Sequence, residues 1–319
     1  MLRNGLIFLS ESRAAKKLVT GTALRGMSRR FVPGDTVDEL VSAIKDANSS
    51  GLSVTANYLG EGEKNEATAR QAGDRYSAIL DRIGEHGLNA NVSLKFTQLG
   101  QAISDDFLAD NLGRVLDRAR DLEAFIRFDM ESSDYTERTL AAFEDVWAAG
   151  RRNIGVVLQA YLYRSALDVA RMNELGARVR LCKGAYAEPA EVAFQERSEV
   201  DGSFVSLMQM LLKDGNYPAI ATHDDAMVEA TVAYAKQHRI GPERFEFQML
   251  YGVRRDLQAS LVKGGYNVRV YIPFGKAWYP YLMRRLAERP ANLFFMTGSV
   301  VRESPLGFLW PRGEGKNSA

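Results

Sequence analysis

The sequence predicts an α/β protein that folds as a (β/α)8 barrel, and three observations support this prediction. From about residue 50 onward, short apolar runs alternate with amphipathic stretches, and eight such runs can be counted. The apolar runs have the length of strands, whereas the stretches between them have helical spacing. Strands that are separated by helices pair in parallel through right-handed crossovers, and eight units close most simply into a barrel.

The predicted strands follow one another at regular intervals along the chain. In order they are LSVTANYL from Leu52, NANVSLKF from Asn89, AFIRFDM from Ala124, NIGVVLQA from Asn153, ARVRLCKGA from Ala177, AIATHD from Ala219, FEFQML from Phe245 and NVRVYIP from Asn267. Helical patterns follow these strands. Two of the helices are predicted to begin at Ser104 and Asp224, because both residue types are typical N-caps.

The region before residue 50 is predicted to form a helical arm that packs on the barrel. Its segment TVDELVSAIKDANSS places Thr36 and Glu39 at the spacing of a capping box. The predicted organisation is therefore an N-terminal helical arm at 1–50, a barrel catalytic domain at 51–300 and a polar C-terminal tail at 301–319. The first thirty or so residues are basic, which is typical of an organellar presequence, a membrane-surface arm or a solvated helical arm. We favour the solvated arm.

Composition narrows the classes of function. The 319 residues are 46% hydrophobic and 25% charged, as in a globular enzyme with a large core. The 41 basic and 40 acidic residues nearly cancel, so no overall field favours nucleic acid, and small molecules are the expected partners. The single cysteine, Cys182, is predicted to be a core thiol in a reducing compartment, which favours a cytoplasmic protein. No stretch has the roughly 20 apolar residues of a membrane span.

Polar residues collect at the C-terminal ends of the predicted strands, which is where barrel enzymes place their chemistry. Each could be a paired structural residue, but their convergence on one barrel mouth predicts a site. These strand-end residues are Lys95, Asp129, Gln159, Arg180, Lys183, Thr222, His223, Asp224, Gln248 and Tyr271.

A predicted helix near the C-terminus adds further charge. In YPYLMRRLAERPAN, four side chains share one helix face, namely Tyr281, Arg284, Arg285 and Glu288. A solvated face would look similar. If this face belongs to the mouth, positive charges outnumber negative ones there, which suits a carboxylate substrate together with a phosphorylated cofactor.

Other chemistries have weaker support. The sequence contains no GxGxxG after a strand and no GxxxxGK[ST], which leaves Rossmann and P-loop binding without an anchor. No Cys/His cluster predicts zinc, so we expect no metal. The glycine of CKGAY would let a backbone amide approach a ligand closely, although this motif is weak by itself.

Several of these segments together resemble the flavin-dependent proline dehydrogenases in their single-function bacterial form. The segments are VSLKF, RFDMES, VVLQAY, VRLCKGAY, ATHD, FEFQMLYG, YIPFG and YLMRRLAER, and they occur in the family's order. The resemblance implies a distorted (β/α)8 TIM barrel in which the last helix lies over the mouth. It also implies FAD as cofactor, L-proline as substrate, 1-pyrroline-5-carboxylate as product and a membrane quinone as electron acceptor.

The resemblance also implies roles for matching residues. Asp129 and Arg180 correspond to the active-site acid and to the arginine beside the flavin. The implied proline site consists of Lys95, Leu250, Tyr271, Tyr281, Arg284 and Arg285. The implied FAD site consists of Met130, Gln159, Arg180, Lys183, Gly184, Ala185, Tyr186, Thr222, His223, Gln248 and Glu288.

Two positions depart from the family's pattern, because Ala187 stands where some members have Trp, and Asp224 where others have Asn. Two alternatives to a flavoenzyme also remain open at this stage. One is a Schiff-base lyase of the aldolase type that uses Lys95 or Lys183. The other is a noncatalytic barrel that binds an anionic ligand, or that docks through its basic arm on the inner face of a membrane.

Overall fold

The computed structural model describes residues 28–288, and it describes side chains as far as Met283. The larger compact unit is Pro33–Lys276. The smaller one contains the flanking segments Met1–Val32 and Ala277–Ala319. The predicted C-terminal tail and nearly all of the basic N-terminal segment lie outside the described residues, so the predicted division into arm, barrel domain and tail stays a prediction.

The larger unit contains a closed barrel of eight strands, each paired in parallel with the next, and the last pairs with the first. The strands are β1 Ser53–Tyr58, β2 Ala90–Leu94, β3 Ile126–Phe128, β4 Ile154–Gln159, β5 Arg178–Cys182, β6 Ala219–Ala221, β7 Glu246–Leu250 and β8 Asn267–Phe274. All eight predicted strands are confirmed, with ends that shift by a few residues.

Nine helices of four or more residues lie in the described part of the chain. They are α1 Val37–Ser49, α2 Glu66–Glu85, α3 Asp105–Asp121, α4 Ser133–Ala148, α5 Ser165–Leu175, α6 Arg197–Asp214, α7 Asp225–Gln237, α8 Arg255–Lys263 and α9 Trp278–Glu288. The predicted N-caps are confirmed, because Ser104 accepts from the backbone N–H of Phe107 and Asp224 accepts from that of Ala226.

Helix α1 precedes the first strand, yet it packs against both β1 and β8. In a regular (β/α)8 barrel, the helix that follows β8 would cover this pair of strands. Thr36 and Glu39 form the predicted capping box at the start of α1 and fix where that helix begins. Helix α1 therefore covers the barrel between β8 and β1.

Alternate residues along the strands divide between an apolar layer and a polar interior. On β2, Val92 and Leu94 are fully buried in the apolar core that the helices cover. Ser93 has the opposite phase and hydrogen-bonds to groups inside the barrel. The buried polar residues that occupy the strands include Thr55, Asn57, Asn91, Ser93, Arg127, Gln159, Arg180, Glu246 and Gln248. Barrel interiors are usually filled by branched apolar side chains, so this polar interior indicates that the barrel contains a functional site.

Between residues 28 and 288, no helix has both the length and the apolar character needed to span a bilayer.

Candidate active site

Asp129 follows β3 and accepts hydrogen bonds through both of its carboxylate oxygens. One of its oxygens accepts from the Nη1 of Arg180 at 2.8 Å and from the Oγ of Ser93 at 2.5 Å. The other oxygen accepts from the hydroxyl of Tyr271 at 2.7 Å. The Asp129 and Arg180 side chains are only 10% and 7% exposed, so water screens this ion pair little. Three donors from three strands therefore fix one carboxylate.

Arg180 extends this network along the barrel interior. Its Nε donates to the Oε1 of Gln248 at 2.5 Å, and its guanidinium lies over the Tyr271 ring at 5.3 Å. The amide of Gln248 donates to Glu246 at 2.5 Å, and Glu246 accepts from the Nε of Arg269 at 2.9 Å. Among the described residues, the Nη2 of Arg180 is buried without a hydrogen-bond partner. That nitrogen remains able to donate to a bound molecule.

The hydroxyl of Tyr271 is fixed by its contact with Asp129. Burial raises the pKa of Tyr271 well above its usual value, and the negative charge of Asp129 adds to this effect. The hydroxyl therefore stays protonated and donates to Asp129 throughout the neutral range.

A second polar group lies at the ends of β2 and β4. The side-chain amide of Gln159 donates to the backbone oxygen of Glu131 at 2.8 Å. The carboxylate of Glu131 accepts from the backbone N–H of Thr97 at 3.2 Å and from its hydroxyl at 2.5 Å. Burial raises the pKa of Glu131, although these hydrogen bonds and the charge of Lys95 act against the increase. Lys95 itself is half-buried, just after β2.

Lys183, which follows β5, lies between two carboxylates. Its ammonium forms an ion pair with Asp201 on α6 and another, at 3.0 Å, with Asp224. Burial alone would raise the pKa of Asp224, but the hydrogen bond and charge of Lys183 outweigh that effect and lower it. The excess of positive charge counted from the sequence is therefore smaller in the described part of the mouth, because Arg180 and Lys183 both have acidic partners.

A specific steric requirement explains why the third residue of CKGAY, Gly184, is a glycine. Gly184 has a φ of 119°, which side-chain-bearing residues rarely adopt, and a Cβ placed there would come within 2.5 Å of the Tyr161 ring. The Tyr161 hydroxyl in turn donates to Glu188 at 3.3 Å. The chain can therefore pass close over Tyr161 only with glycine at this position.

Hydrogen bonds of Thr222 and His223 link the C-terminal end of β6 to that of β7. The backbone N–H of Thr222 donates to Gln248 at 3.1 Å, and the Nε2 of His223 accepts from the backbone N–H of Leu250 at 2.8 Å. Asp224 donates its backbone N–H to the Thr222 hydroxyl at 3.1 Å. These contacts hold the two strand ends in register, and Asp224 also reaches Lys183.

The structure brings most of the predicted residues of the larger unit to one barrel end. Asp129, Arg180, Gln248 and Tyr271 are in direct contact. The other members, found at or just beyond their strand ends, are Lys95, Met130, Gln159, Lys183, Gly184, Ala185, Tyr186, Thr222, His223 and Leu250. Tyr281 lies on α9 in the smaller unit, and the helical conformation predicted for this segment is confirmed. The side chains of Arg284, Arg285 and Glu288 lie outside the described ones, and their position stays a prediction.

The sequence reasoning missed four residues of this network, namely Ser93, Glu131, Tyr161 and Asp201. Ser93 could have been found, because it is the polar residue that alternates with Val92 and Leu94 on β2. Asp201 carried no such pattern, because it reaches Lys183 from a helix 18 residues further along the chain. In the described range, no group of three or more His, Cys, Asp or Glu residues could hold a metal ion.

A closed eight-stranded barrel with a buried charge network at the C-terminal strand ends defines a (β/α)8-barrel enzyme. Comparison with known proteins then gives the family: the proline dehydrogenase model matches residues 40–298, and the chain belongs to that family. The enzyme therefore oxidises proline, a reaction of proline catabolism.

Individual relatives agree with this assignment. The chain is 40% identical over 303 residues to proline dehydrogenase 1 of Bacillus subtilis (strain 168), covering 95% of this chain and 100% of the relative. It is 36% identical over 280 residues to proline dehydrogenase of Deinococcus radiodurans, covering 86% and 90% of the two chains. The predicted family is thus confirmed.

A solved structure supports the fold. Proline utilization A from Bdellovibrio bacteriovorus, inactivated by N-propargylglycine, superposes with a TM-score of 0.81 at 26% identity. The match covers 93% of this chain and 36% of the longer one.

Proposed function

We propose that this chain oxidises L-proline to 1-pyrroline-5-carboxylate at the C-terminal end of the barrel, with FAD as cofactor and a quinone as final electron acceptor. The observation that carries this proposal is the buried Asp129–Arg180 pair, in which Arg180 keeps one buried nitrogen without a partner among the described residues. A buried donor of this kind costs free energy unless a bound molecule accepts from it.

The residues present fit a flavin on one observation. The buried Nη2 of Arg180, which has no partner among the described residues, can donate to an electronegative ring atom. We assign the cofactor site to Met130, Gln159, Arg180, Lys183, Gly184, Ala185, Tyr186, Thr222, His223, Gln248 and Glu288. When bound, FAD would supply the hydride acceptor, while the protein supplies binding and orientation.

In this proposal, Asp129 acts by positioning other groups. Its two oxygens already accept from Arg180, Ser93 and Tyr271, so it is poorly placed to take a proton from the substrate amine. Instead, it holds the Arg180 guanidinium and the Tyr271 ring in one orientation. Two side chains fixed in this way support catalysis, because they limit the substrate to reactive orientations.

Proline binding is assigned to Lys95, Leu250, Tyr271, Tyr281, Arg284 and Arg285. The two arginines and the lysine would bind the substrate carboxylate, because guanidinium forks match its geometry and an ammonium adds a point charge. Tyr271 and Leu250 would then flank the ring. With the carboxylate fixed, the reacting carbon has a single orientation relative to Arg180.

The visible spectrum of the purified protein tests the proposal. We expect flavin absorption bands that bleach when L-proline is added without oxygen. A colourless protein that borohydride traps with substrate would instead support the Schiff-base lyase. Proline binding without turnover would support a noncatalytic barrel. Either of these results would overturn the flavin assignment.

The alternative to the favoured solvated arm is that the basic N-terminal segment brings the enzyme to an anionic membrane surface, where a lipid-soluble quinone would be reduced. If the segment docks in this way, deletion of residues 1–30 should leave proline oxidation with a soluble dye intact and lower the rate with quinone in anionic vesicles. The loss should be larger at low salt, because surface attraction is then least screened. Equal losses in both assays, or no loss in either, would exclude docking through this segment.

A further inference from the structure

A cavity lies at the opposite end of the barrel from the candidate active site. Its volume is ≈ 210 Å³, and residues at the first positions of β2, β5 and β7 line it. Three arginines, Arg127, Arg178 and Arg269, line this cavity together with Glu246 and Tyr217. We refer to it as the basal cavity.

Arg127 is the buried member of this group. It is 2% exposed, and its Nη1 donates to the backbone oxygens of Arg178 at 2.7 Å and Val156 at 3.3 Å. Its Nε is buried without a hydrogen-bond partner among the described residues. Burial lowers the pKa of Arg127 well below its usual value, and the charge of Arg180 adds to this effect. Neutral carbonyl oxygens therefore leave the Arg127 charge incompletely compensated.

The other two arginines of the cavity do not bring a free carboxylate that could compensate the Arg127 charge. The Nε of Arg269 donates to both oxygens of Glu246, at 2.9 and 3.0 Å, so this buried carboxylate already has a cationic partner. Arg178 is exposed and lies over the rings of Phe125 at 5.4 Å and Tyr217 at 5.2 Å. In the described part of the chain, no carboxylate lies within ion-pair distance of Arg178. Three arginines against two glutamates, Glu246 and the exposed Glu123, leave a net charge of +1 around the cavity.

The cavity wall includes backbone held in an uncommon conformation. Tyr217 and Glu123 both line the cavity and have φ values of 48° and 52°, in the left-handed region. Such a conformation is unfavourable for a residue other than glycine and persists only where the surroundings fix it.

We propose that the basal cavity binds a small oxyanion, a phosphate or a carboxylate, between Arg127 and Arg178. Guanidinium groups bind oxyanions through paired hydrogen bonds, and Arg127 has an unused buried nitrogen for this purpose. The volume admits a molecule of a few heavy atoms and excludes a whole nucleotide. This site is separate from the one assigned to proline, and its occupancy does not depend on the flavin.

Calorimetric titration of the purified protein with inorganic phosphate, and separately with acetate, tests this proposal. Arg178→Gln is the main variant, because Arg178 is exposed and its side chain can be changed without opening the core. The matched control is Arg244→Gln, an exposed arginine two residues before Glu246 that does not line the cavity. Lys95→Met removes a proposed anion-binding charge at the other end of the barrel.

We expect wild type, Arg244→Gln and Lys95→Met to bind at least one of the two anions with one site per chain. Arg178→Gln should weaken that binding about ten-fold or more, as expected for the loss of a hydrogen bond to a charged group. Equal melting temperatures in anion-free buffer would confirm that Arg178→Gln is folded. Binding to neither anion would overturn the proposal. So would binding that is lost in Lys95→Met and retained in Arg178→Gln, because the anion would then occupy the barrel mouth.

Discussion

The two ends of the barrel interior each bury an arginine, but they compensate its charge differently. At the C-terminal strand ends, Arg180 forms an ion pair with Asp129 at 2.8 Å, and Ser93 and Tyr271 complete the carboxylate's hydrogen bonds. At the N-terminal ends, Arg127 has carbonyl oxygens as its partners. The contrast shows that a buried cation alone does not identify a catalytic site.

The two ends of the barrel differ in what the remaining hydrogen-bond donors of their arginines are suited to bind. The Asp129–Arg180 pair fixes an aromatic ring beside one free guanidinium nitrogen, which suits a site that must orient a reactant. The basal arginines surround open volume and suit an anion. Gln248 and Glu246 join the two ends in one hydrogen-bonded chain.

The largest expected effects come from removing the carboxylate at either end. Asp129→Ala leaves the buried Arg180 without its acidic partner, and Glu246→Ala does the same to Arg269, whose side chain is 14% exposed. Each change should lower the free energy of unfolding by about 3–5 kcal/mol. Turnover with proline should be lost in Asp129→Ala, because Arg180 and Tyr271 lose their common anchor. Urea unfolding and steady-state kinetics of both variants, measured where both are folded, check this comparison.

Asp225→Ala, which removes an exposed partner of Arg254, provides the surface control and should change stability little. Equal loss of turnover in Asp129→Ala and Glu246→Ala would break the comparison. It would mean that the chain through Gln248 makes both ends one catalytic unit.

The second prediction concerns the arginines proposed to bind the proline carboxylate. Arg284→Met and Arg285→Met should each raise the proline KM, because a hydrogen bond to a charged group contributes about 1.5–3 kcal/mol. That range corresponds to an increase of about ten-fold to 150-fold. Steady-state kinetics checks it, with Arg255→Met as a control for loss of a surface arginine. A wild-type KM in either variant would mean that the corresponding side chain does not bind substrate.

The sequence predicted the barrel well because strand and helix periods are local properties of the chain. All eight strands were found, as were the caps at Thr36, Ser104 and Asp224. Helix α1 was predicted to pack on the barrel, but its particular position against β1 and β8 depends on barrel closure, which no local pattern encodes.

Prediction of the site was more limited, for a different physical reason. The strand-end rule identified Asp129, Arg180, Gln248 and Tyr271, because parallel strands bring their C-terminal ends to one place. It could not identify which charges neutralise one another. Asp201 reaches Lys183 from helix α6, and this tertiary ion pair leaves no mark at any fixed sequence spacing.

The smallest predicted effect is a pH dependence at Glu131. It sharpens the comparison because this carboxyl is buried at the mouth and, among the described side chains, accepts from Thr97 and from no arginine. Burial raises its pKa in the folded state, so folding favours the protonated form. Its contribution to stability is then fully present below the unfolded pKa, near 4.3, and is lost as pH rises through the higher folded value.

The variant Glu131→Gln has no such titration. The stability of wild type relative to Glu131→Gln should therefore fall as pH rises across this window, as measured by urea unfolding at several pH values. Glu174→Gln, at an exposed position, controls for the loss of one titrating carboxyl. A difference between wild type and Glu131→Gln that grows in the opposite direction would show that the bonds from Thr97 and the charge of Lys95 outweigh the cost of burial.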